Sequence, residues 1–160
     1  MNWLTRIGAI LITLSITLGI IALVRGSSSE TAGWVFDMSP LESEGALVYL
    51  SPRDLIITIN TPKDVSLNLT DQQNNTILTV QNFTNGDSVK LHIEKREVYT
   101  VKLYNSYNTV QFVQLEFTLY NFEADITQAA IALAIAGIAI IAANQIWQKT
   151  RLKQKLQHHN

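Results

Sequence analysis

The feature that most constrains the fold is an uncharged apolar run near the C-terminus. Ile126–Ile146, ITQAAIALAIAGIAIIAANQI, contains no ionisable side chain. A helix of about 20 apolar residues crosses the hydrocarbon core of a bilayer, and a helix satisfies its own backbone hydrogen bonds there. Trp147 follows at the position of an interfacial aromatic residue. The sequence therefore predicts a transmembrane helix over 126–147.

Basic residues follow this segment in the tail 148–160. They are Lys149, Arg151, Lys153 and Lys155. By the positive-inside rule, these charges place the C-terminus in the cytoplasm. Two roles stay open for them. They set the orientation during insertion and do nothing more, or they also hold a continuing helix against anionic lipid headgroups or a partner.

A second apolar segment, Ile7–Val24, lies behind Arg6 and the short N-terminal segment 1–6. A cleaved signal peptide has an apolar core of only ~7–15 residues and small residues at its cleavage site. Here the apolar run is longer than that, and Val24 and Arg25 stand at its end. This favours a signal anchor over a cleaved peptide. The sequence thus predicts a two-pass protein of the cell membrane, with both termini cytoplasmic and the central residues outside.

The two apolar segments look like anchors rather than a conduit. Neither carries Asp, Glu, Lys, Arg or His in its apolar body, whereas transport pathways typically do. Small residues at helical spacing form faces on which another helix can approach closely, although Ala and Gly are also simply common in such segments. The predicted helix-packing residues are Ser15 and Gly19 in the first segment and Ala132, Ala136, Ala139 and Ala143 in the second.

The central region changes to a period of two. Residues 25–32 are predicted to form a flexible tether, and residues 33–122 one folded domain. Turn-forming residues separate the candidate strands at intervals of about 8–12 residues, which is typical of an antiparallel sandwich. The candidates are Trp34–Met38, Ala46–Leu50, Leu55–Asn60, Val65–Leu69, Thr76–Gln81, Ser88–Glu94, Val98–Tyr104 and Thr109–Tyr120. The predicted fold is an all-β sandwich of seven to eight antiparallel strands, Ig-like or jelly-roll-like, flanked by two transmembrane helices.

The alternation also predicts which side chains form the core. Leu91, Leu115 and Phe117 are expected to point inward. In the last strand, Val110 and Phe112 share one phase, whereas the apolar residues that follow share the other. One extra residue, a β-bulge, would correct such a shift. The alternative is a strand that is covered on both faces at its start.

Chemically active constellations are missing from the sequence. The absence of cysteine excludes disulfides, thiolate metal sites and a cysteine nucleophile. His92, His158 and His159 lack the spacing of a metal site, and the seven glycines stand apart rather than in a phosphate-binding loop. A net charge of −1 gives no argument for nucleic acid. We therefore expect a protein that is not an enzyme and has no cofactor.

One motif recurs in the segment that is predicted to lie outside. Asn68, Asn74 and Asn82 each begin an Asn-x-Thr sequon, and the three lie close together in the chain. Clustered sequons in an exported domain predict N-glycosylation where the host has the machinery. The alternative is that they are polar turn residues without a sugar.

Two classes of function remain. The favoured one is an accessory or structural subunit whose sandwich docks on a larger membrane or cell-envelope complex, with the lipid bilayer and other membrane-protein subunits as partners. The alternative is an anchored extracytoplasmic domain that binds or senses a ligand, whose identity the sequence leaves unknown. Signalling would need a cytoplasmic output, and the tail that follows Ile146 is too short for a separate module.

Overall fold

The structure is a computed structural model that describes residues 3–157, with side chains through Arg151. Within this range the chain forms two helices and eight strands, and it divides into a helical unit and a β unit of residues 26–123. The elements are α1 Trp3–Gly26, β1 Glu30–Met38, β2 Ser43–Leu50, β3 Asp54–Asn60, β4 Val65–Thr70, β5 Thr76–Phe83, β6 Ser88–His92, β7 Glu97–Tyr104, β8 Gln111–Tyr120 and α2 Ala124–Gln157.

The β unit is a sandwich of two four-stranded antiparallel sheets. Its strands pair as β1–β8, β2–β7, β3–β6 and β4–β5, so that each pair is nested inside the one before it along the chain. These pairs assemble into sheets of order β1-β8-β3-β6 and β2-β7-β4-β5. Nested pairs distributed over two sheets form a jelly roll, which is one of the two sandwich types that the sequence predicts.

The core lies between the two sheets, because alternate side chains of each strand point to opposite faces. Leu115 and Phe117 are buried there, at 0% and 2% exposure, as the alternation predicts. Leu91 is only half-buried and packs against the core from outside its centre. Its strand, β6, is an edge strand, so part of each side chain faces the rim of the sandwich.

The segment between α1 and β1 differs most clearly from the sequence-based expectation. α1 runs to Gly26 and β1 begins at Glu30, so most of the predicted tether 25–32 is helix end and strand. Thr31 shows why, since its Oγ1 lies 3.1 Å from the Oγ1 of Thr118 on β8. Polar residues of this kind extend an outer strand without adding to the apolar alternation.

The predicted bulge in the last strand is wrong. β8 pairs continuously with β1 from Leu119 to Gln111, and with β3 from Tyr120 to Gln114. Val110 precedes the strand and is 57% exposed. Phe112 points to the outer face of the sheet and is 65% exposed. The change of apolar phase therefore marks two exposed side chains. Register shifts occur instead between β4 and β5.

Both helices are long and apolar enough to cross a membrane. α1 has 24 residues and α2 has 34. At 1.5 Å per residue, α2 measures about 51 Å, well beyond the ~30 Å of a hydrocarbon core. The helix thus continues into the predicted basic tail, up to Gln157.

Candidate docking surface

The four edge strands of the sandwich are not equally protected against pairing with another chain. β6 has only five residues and carries Lys90, while β5 is interrupted by two register shifts. Short strands, lysines and bulges are the usual means of protecting an edge. β1 and β2, at the other side of the sandwich, have nine and eight residues and pair with their neighbours in one continuous register. Neither contains Lys, Arg or Pro. We call these two edges and their outward side chains the β1–β2 side.

Large apolar side chains point outward along the β1–β2 side. Val35 on β1 is 74% exposed, and Leu47 and Tyr49 on β2 are 71% and 61% exposed. In register, Tyr49 lies opposite Val98 of β7, which extends the apolar strip into the sheet. Leu47 and Tyr49 share one outer face, whereas Val35 lies on the outer face of the other sheet, so exposed apolar side chains flank the open edges from both faces. Exposed apolar side chains gathered at one side of a folded domain typically mark an interaction site. The sequence offers one sign of this surface, because WVF and LVY are apolar in both phases of their strands.

A slot opens between the two edges. It has a volume of about 260 Å³ and is bordered by Glu30–Ala32 and Trp34 of β1, Val48–Leu50 of β2, and Phe117 and Leu119 of β8. The Trp34 ring meets that of Phe117 edge-on, with the ring centroids 5.2 Å apart. Inward-facing positions of β1 become more exposed towards its start, from buried Phe36 through half-buried Trp34 to exposed Ala32. The slot is therefore an apolar opening into the rim of the sandwich core.

Acidic residues border the β1–β2 side. The segment 26–50 contains Glu30, Asp37, Glu42 and Glu44 and no basic residue, and all four side chains are exposed. Glu30 pairs with the buried Arg53 at 3.4 Å. The nearest basic residue of the neighbouring strand is Lys102, opposite Gly45. Asp37, Glu42 and Glu44 thus give this side a negative charge.

A buried arginine organises the end of the sandwich at which the chain enters and leaves it. Arg53 is 0% exposed. Its Nε donates to the carbonyl of Asn121 at 2.8 Å, and its Nη2 donates to the carbonyl of Ser28 at 2.8 Å. The guanidinium therefore joins the two chain ends that flank β1 and β8. Nearby, Arg96 pairs with the fully buried Glu123. The sequence predicts only a turn at Arg53, because the burial of a charged side chain has no local signature.

The opposite end is fixed by a buried amide network. Asn105 is 0% exposed and donates to the carbonyls of Ser39 and Thr109 at 3.0 and 2.8 Å. Its Oδ1 accepts from the amide of Gln111 at 2.7 Å. Exposed above this network is Leu41, which adopts a left-handed backbone conformation with φ 58°. Because the buried polar groups of this network are hydrogen-bonded to each other, the network rigidifies the loops at this end of the sandwich.

A polar pocket of about 280 Å³ lies at the chain-entry end, lined by residues that include Asp71, His92, Glu94 and Lys95. Hydrogen bonds from the side chain and backbone of Asn75, together with one from the backbone of Gln73, hold the pKa of Asp71 below its usual value. The structure identifies no group of three or more His, Cys, Asp or Glu residues fit for a metal ion among the residues it describes. The pocket therefore offers hydrogen bonds and charge to a small polar molecule.

His92 also takes part in an exposed pair on the outer sheet face. Its Nδ1 lies 2.7 Å from Oδ1 of Asp54, and Asn121 donates to the other carboxylate oxygen. The hydrogen bond with His92, followed by that from Asn121, lowers the pKa of Asp54. His158 and His159 lie outside the described residues.

The three sequons all fall on the β4–β5 hairpin, at the side of the sandwich away from β2. Asn74 and Asn82 are exposed, and both adopt left-handed conformations, with φ 63° and 55°. Asn68 lies within β4 between Thr79 of β5 and Lys102 of β7, and it is only half-exposed. Sugars at these positions would cover β5 and leave the β1–β2 side open.

The two helices contact each other through a set of small and polar residues that overlaps the predicted set only at Ser15. The hydroxyl of Ser15 donates to the carbonyl of Ala130 at 2.8 Å, and the amide of Asn144 donates to Oγ1 of Thr5 at 2.8 Å. Between these bonds the backbones meet, since a Cβ on Gly8 would lie 2.9 Å from the carbonyl oxygen of Gly137.

The other predicted helix-packing residues lie outside this contact. Gly19 is half-exposed, with open space where a side chain would be, and the four alanines are exposed. These are Ala132, Ala136, Ala139 and Ala143. The buried residues of α1 recur every seven positions, at Gly8, Ser15 and Ala22. A seven-residue repeat, rather than the four-residue spacing used for the prediction, follows the seam of two helices packed side by side.

The basic residues of the tail lie on the last turns of α2. Lys149 and Arg151 are exposed, and the Arg151 guanidinium carbon lies 4.0 Å from the centre of the Trp147 ring. Lys153 and Lys155 fall on the helical backbone, where side chains lie beyond the described part of the chain.

No protein-family model matches the chain, and no curated protein matches it in sequence. Solved structures resemble the sandwich at a distance. The Yersinia pseudotuberculosis-derived mitogen is 12% identical with a TM-score of 0.47, over 61% of this chain and 92% of that one. PliG of Aeromonas hydrophila, a periplasmic inhibitor of g-type lysozyme, is 8% identical with a TM-score of 0.42, over 58% and 88%. A cupin domain from Bordetella pertussis is 18% identical with a TM-score of 0.33, over 57% and 80%. At these scores, function has to be argued from the surface itself.

Proposed function

We propose that this chain is a non-catalytic, two-pass membrane protein whose extracytoplasmic sandwich docks on a larger membrane or cell-envelope complex. The observation that carries the proposal is the asymmetry of the sandwich edges. β5 and β6 carry devices that prevent pairing, whereas β1 and β2 are long, regular and flanked by exposed Val35, Leu47 and Tyr49. A domain that works alone has no reason to protect one side and leave the other open.

The orientation follows from charge. Arg6 precedes the first apolar segment, and Lys149 and Arg151 follow the second, so both termini are cytoplasmic. The contact between Gly8 and Gly137 supports a first helix that is retained as a signal anchor, because a cleaved peptide needs no fitted partner. Protease added to intact cells should cut only within residues 26–125. Cleavage of a C-terminal epitope from outside would overturn this topology.

The docking function is tested by site-specific photocrosslinking in native membranes. A photoreactive residue at position 47 or 35 should give one discrete adduct with an integral membrane or envelope protein. Matched positions on the protected side, 77 and 90, should give none. A Leu47→Lys change should abolish the adduct formed from position 35. If all four positions give the same diffuse products, the β1–β2 side is not a docking surface.

A second function is favoured by the polar pocket at Asp71 and His92. Its volume of about 280 Å³ lies near the lower limit of ~300 Å³ for small-molecule sites. The chain would then be an anchored domain that binds or senses a small polar ligand. A bound small molecule, released from the purified protein on unfolding and lost in a His92→Ala variant, would favour this function over docking.

A further inference from the structure

We propose that the β1–β2 side binds an extended segment of a partner protein, which adds to β2 as a further strand with apolar side chains on both faces and a basic side chain at the end that meets Glu44. This inference rests on the proposed docking function and specifies the partner. Three properties of the surface lead to it: an open backbone edge, apolar contacts on both faces of that edge, and charge.

The open backbone edge of β2 can bind a further strand. β2 is bonded to β7 along its whole length and, within the described part of the chain, has no strand on its other side. Backbone N–H and C=O groups on such an edge are satisfied by water or by an added strand, which is the basis of β-augmentation. A helix laid on the same surface would leave these groups without backbone partners.

Both faces of an added strand would find apolar contacts. Its outward side chains would lie beside Leu47 and Tyr49, which are largely exposed. Its inward side chains would point to the slot between β1 and β2, whose lining includes Trp34, Val48 and Phe117. Opposed apolar pairs of this kind stabilise a sheet by roughly 0.2–1 kcal/mol each. β1 offers less, since its outward residues include Thr31 and Gly33, and we therefore assign the pairing to β2.

Charge selects the partner's sequence. Glu42 and Glu44 lie at the start of β2, Asp37 lies near the end of β1, and Glu44 is in the inward phase of its strand. An inward charge opposes non-specific pairing, because only an oppositely charged side chain compensates it. A second copy of this chain has no basic residue within 26–50 to compensate Glu44, so pairing between like edges is disfavoured. Lysine or arginine on the added strand supplies the missing charge.

The test uses the full chain in nanodiscs of zwitterionic lipid and three short fluorescent peptides of equal length. The first is a run of valines with lysines at both ends. The second has the same sequence with every backbone amide N-methylated, which removes the backbone donors of both edges. The third has the same valines with glutamate in place of each lysine. We expect the first peptide to bind, the second to bind at least about tenfold more weakly, and the third to bind more weakly still. Hydrogen exchange should slow in residues 43–50 when the first peptide is bound.

Two matched variants locate the site on the protein. Leu47→Lys adds a positive charge on exposed β2 and should weaken binding of the first peptide by about tenfold or more. Ile77→Lys makes the same change at a 43% exposed position of β5 and should leave binding unchanged. Equal binding of the methylated peptide would refute strand addition, and equal binding of the glutamate peptide would refute the charge selection. Slowed exchange in 30–38 instead would refute the assignment to β2. In each of these cases, a discrete photocrosslinked adduct at position 47 would still support the docking function. Failure of this inference is therefore distinguishable from failure of the docking function.

Discussion

Replacing Arg53 should cost the sandwich a large part of its stability. The side chain is fully buried and donates hydrogen bonds to the carbonyls of Ser28 and Asn121. Arg53→Met keeps most of the volume but leaves both carbonyls without these donors. Arg53→Ala also opens a cavity, whereas Arg53→Lys keeps a charge but has no planar fork to reach both acceptors.

The expected magnitude follows from the two lost bonds. A hydrogen bond from a charged donor contributes about 1.5–3 kcal/mol, and Arg53→Met removes two such bonds. We therefore expect Arg53→Met to lower the free energy of unfolding by about 3–5 kcal/mol, out of a total of ~5–15 kcal/mol for a domain. Arg53→Lys should cost less and Arg53→Ala more. At ~4–8 °C per kcal/mol for a domain of this size, the melting temperature should fall by at least about 10 °C.

Trp34 supplies the assay, since its ring packs edge-on against Phe117 inside the sandwich. In a background with Trp3→Phe and Trp147→Phe, Trp34 is the one remaining tryptophan. Its fluorescence then reports the unfolding of the β unit specifically, with the full chain in nanodiscs. Lys90→Ala on an exposed edge strand serves as the control. If Arg53→Met unfolds within about 0.5 kcal/mol of this control, the arginine does not hold the chain ends.

Three further outcomes are expected. Leu115→Ala should destabilise the same reporter by about 2–5 kcal/mol, whereas Lys90→Ala should not, and equal effects would mean that the strand phase is wrong. The lowered pKa of Asp71 contributes stability that is present above about pH 4 and is lost as the pH falls through the folded-state value, so Asp71→Asn should flatten the acid limb of a stability–pH curve measured with that reporter. An unchanged acid limb would contradict this assignment. Changing Lys153 and Lys155 to Gln should leave membrane insertion intact but weaken adsorption of a tail peptide to anionic vesicles, and added salt should weaken the wild-type peptide likewise. If neither the two substitutions nor added salt changes the adsorption of the peptide, the basic residues of the tail serve only to set the orientation.

The strands could be predicted well because the inward-facing side chains of each strand are mostly apolar and turn-forming residues separate one strand from the next. Val65–Leu69 and Val98–Tyr104 match the observed β4 and β7 within one residue at each end. The alternation of apolar and polar residues shows that one face of a strand is buried, but it does not show which strands pair. The sequence therefore left the strand order open between an Ig-like and a jelly-roll-like sandwich. That order depends on contacts between residues as distant as Glu30 and Leu119.

The candidate docking surface was harder to predict. Exposed Leu47 and buried Val48 are equivalent in a hydropathy pattern, and only the sheet order shows that β2 lies at an edge. Arg53 and Asn105 lie between predicted strands, and their burial has no local signature because it depends on carbonyls distant in the chain, at Ser28 and Asn121 for Arg53 and at Ser39 for Asn105. The residues of the contact between α1 and α2 could not be identified from the sequence for a related reason. Sequence spacing identifies faces rich in small residues, but the face that meets the partner helix is set by tertiary packing.

The position of the two chain ends gives the β unit a distinctive mechanical response. β1 and β8 are neighbours, they run antiparallel, and the chain enters at Glu30 beside the point at which it leaves at Leu119. Tension between these ends would load the β1–β8 hydrogen bonds one after another, like opening a zipper, instead of shearing them all at once. Arg53 bridges the two segments just outside the first pair, at Ser28 and Asn121. Arg96 also holds the exit segment, through Glu123. The domain would therefore resist force through these two arginines first and yield strand by strand once their contacts are broken.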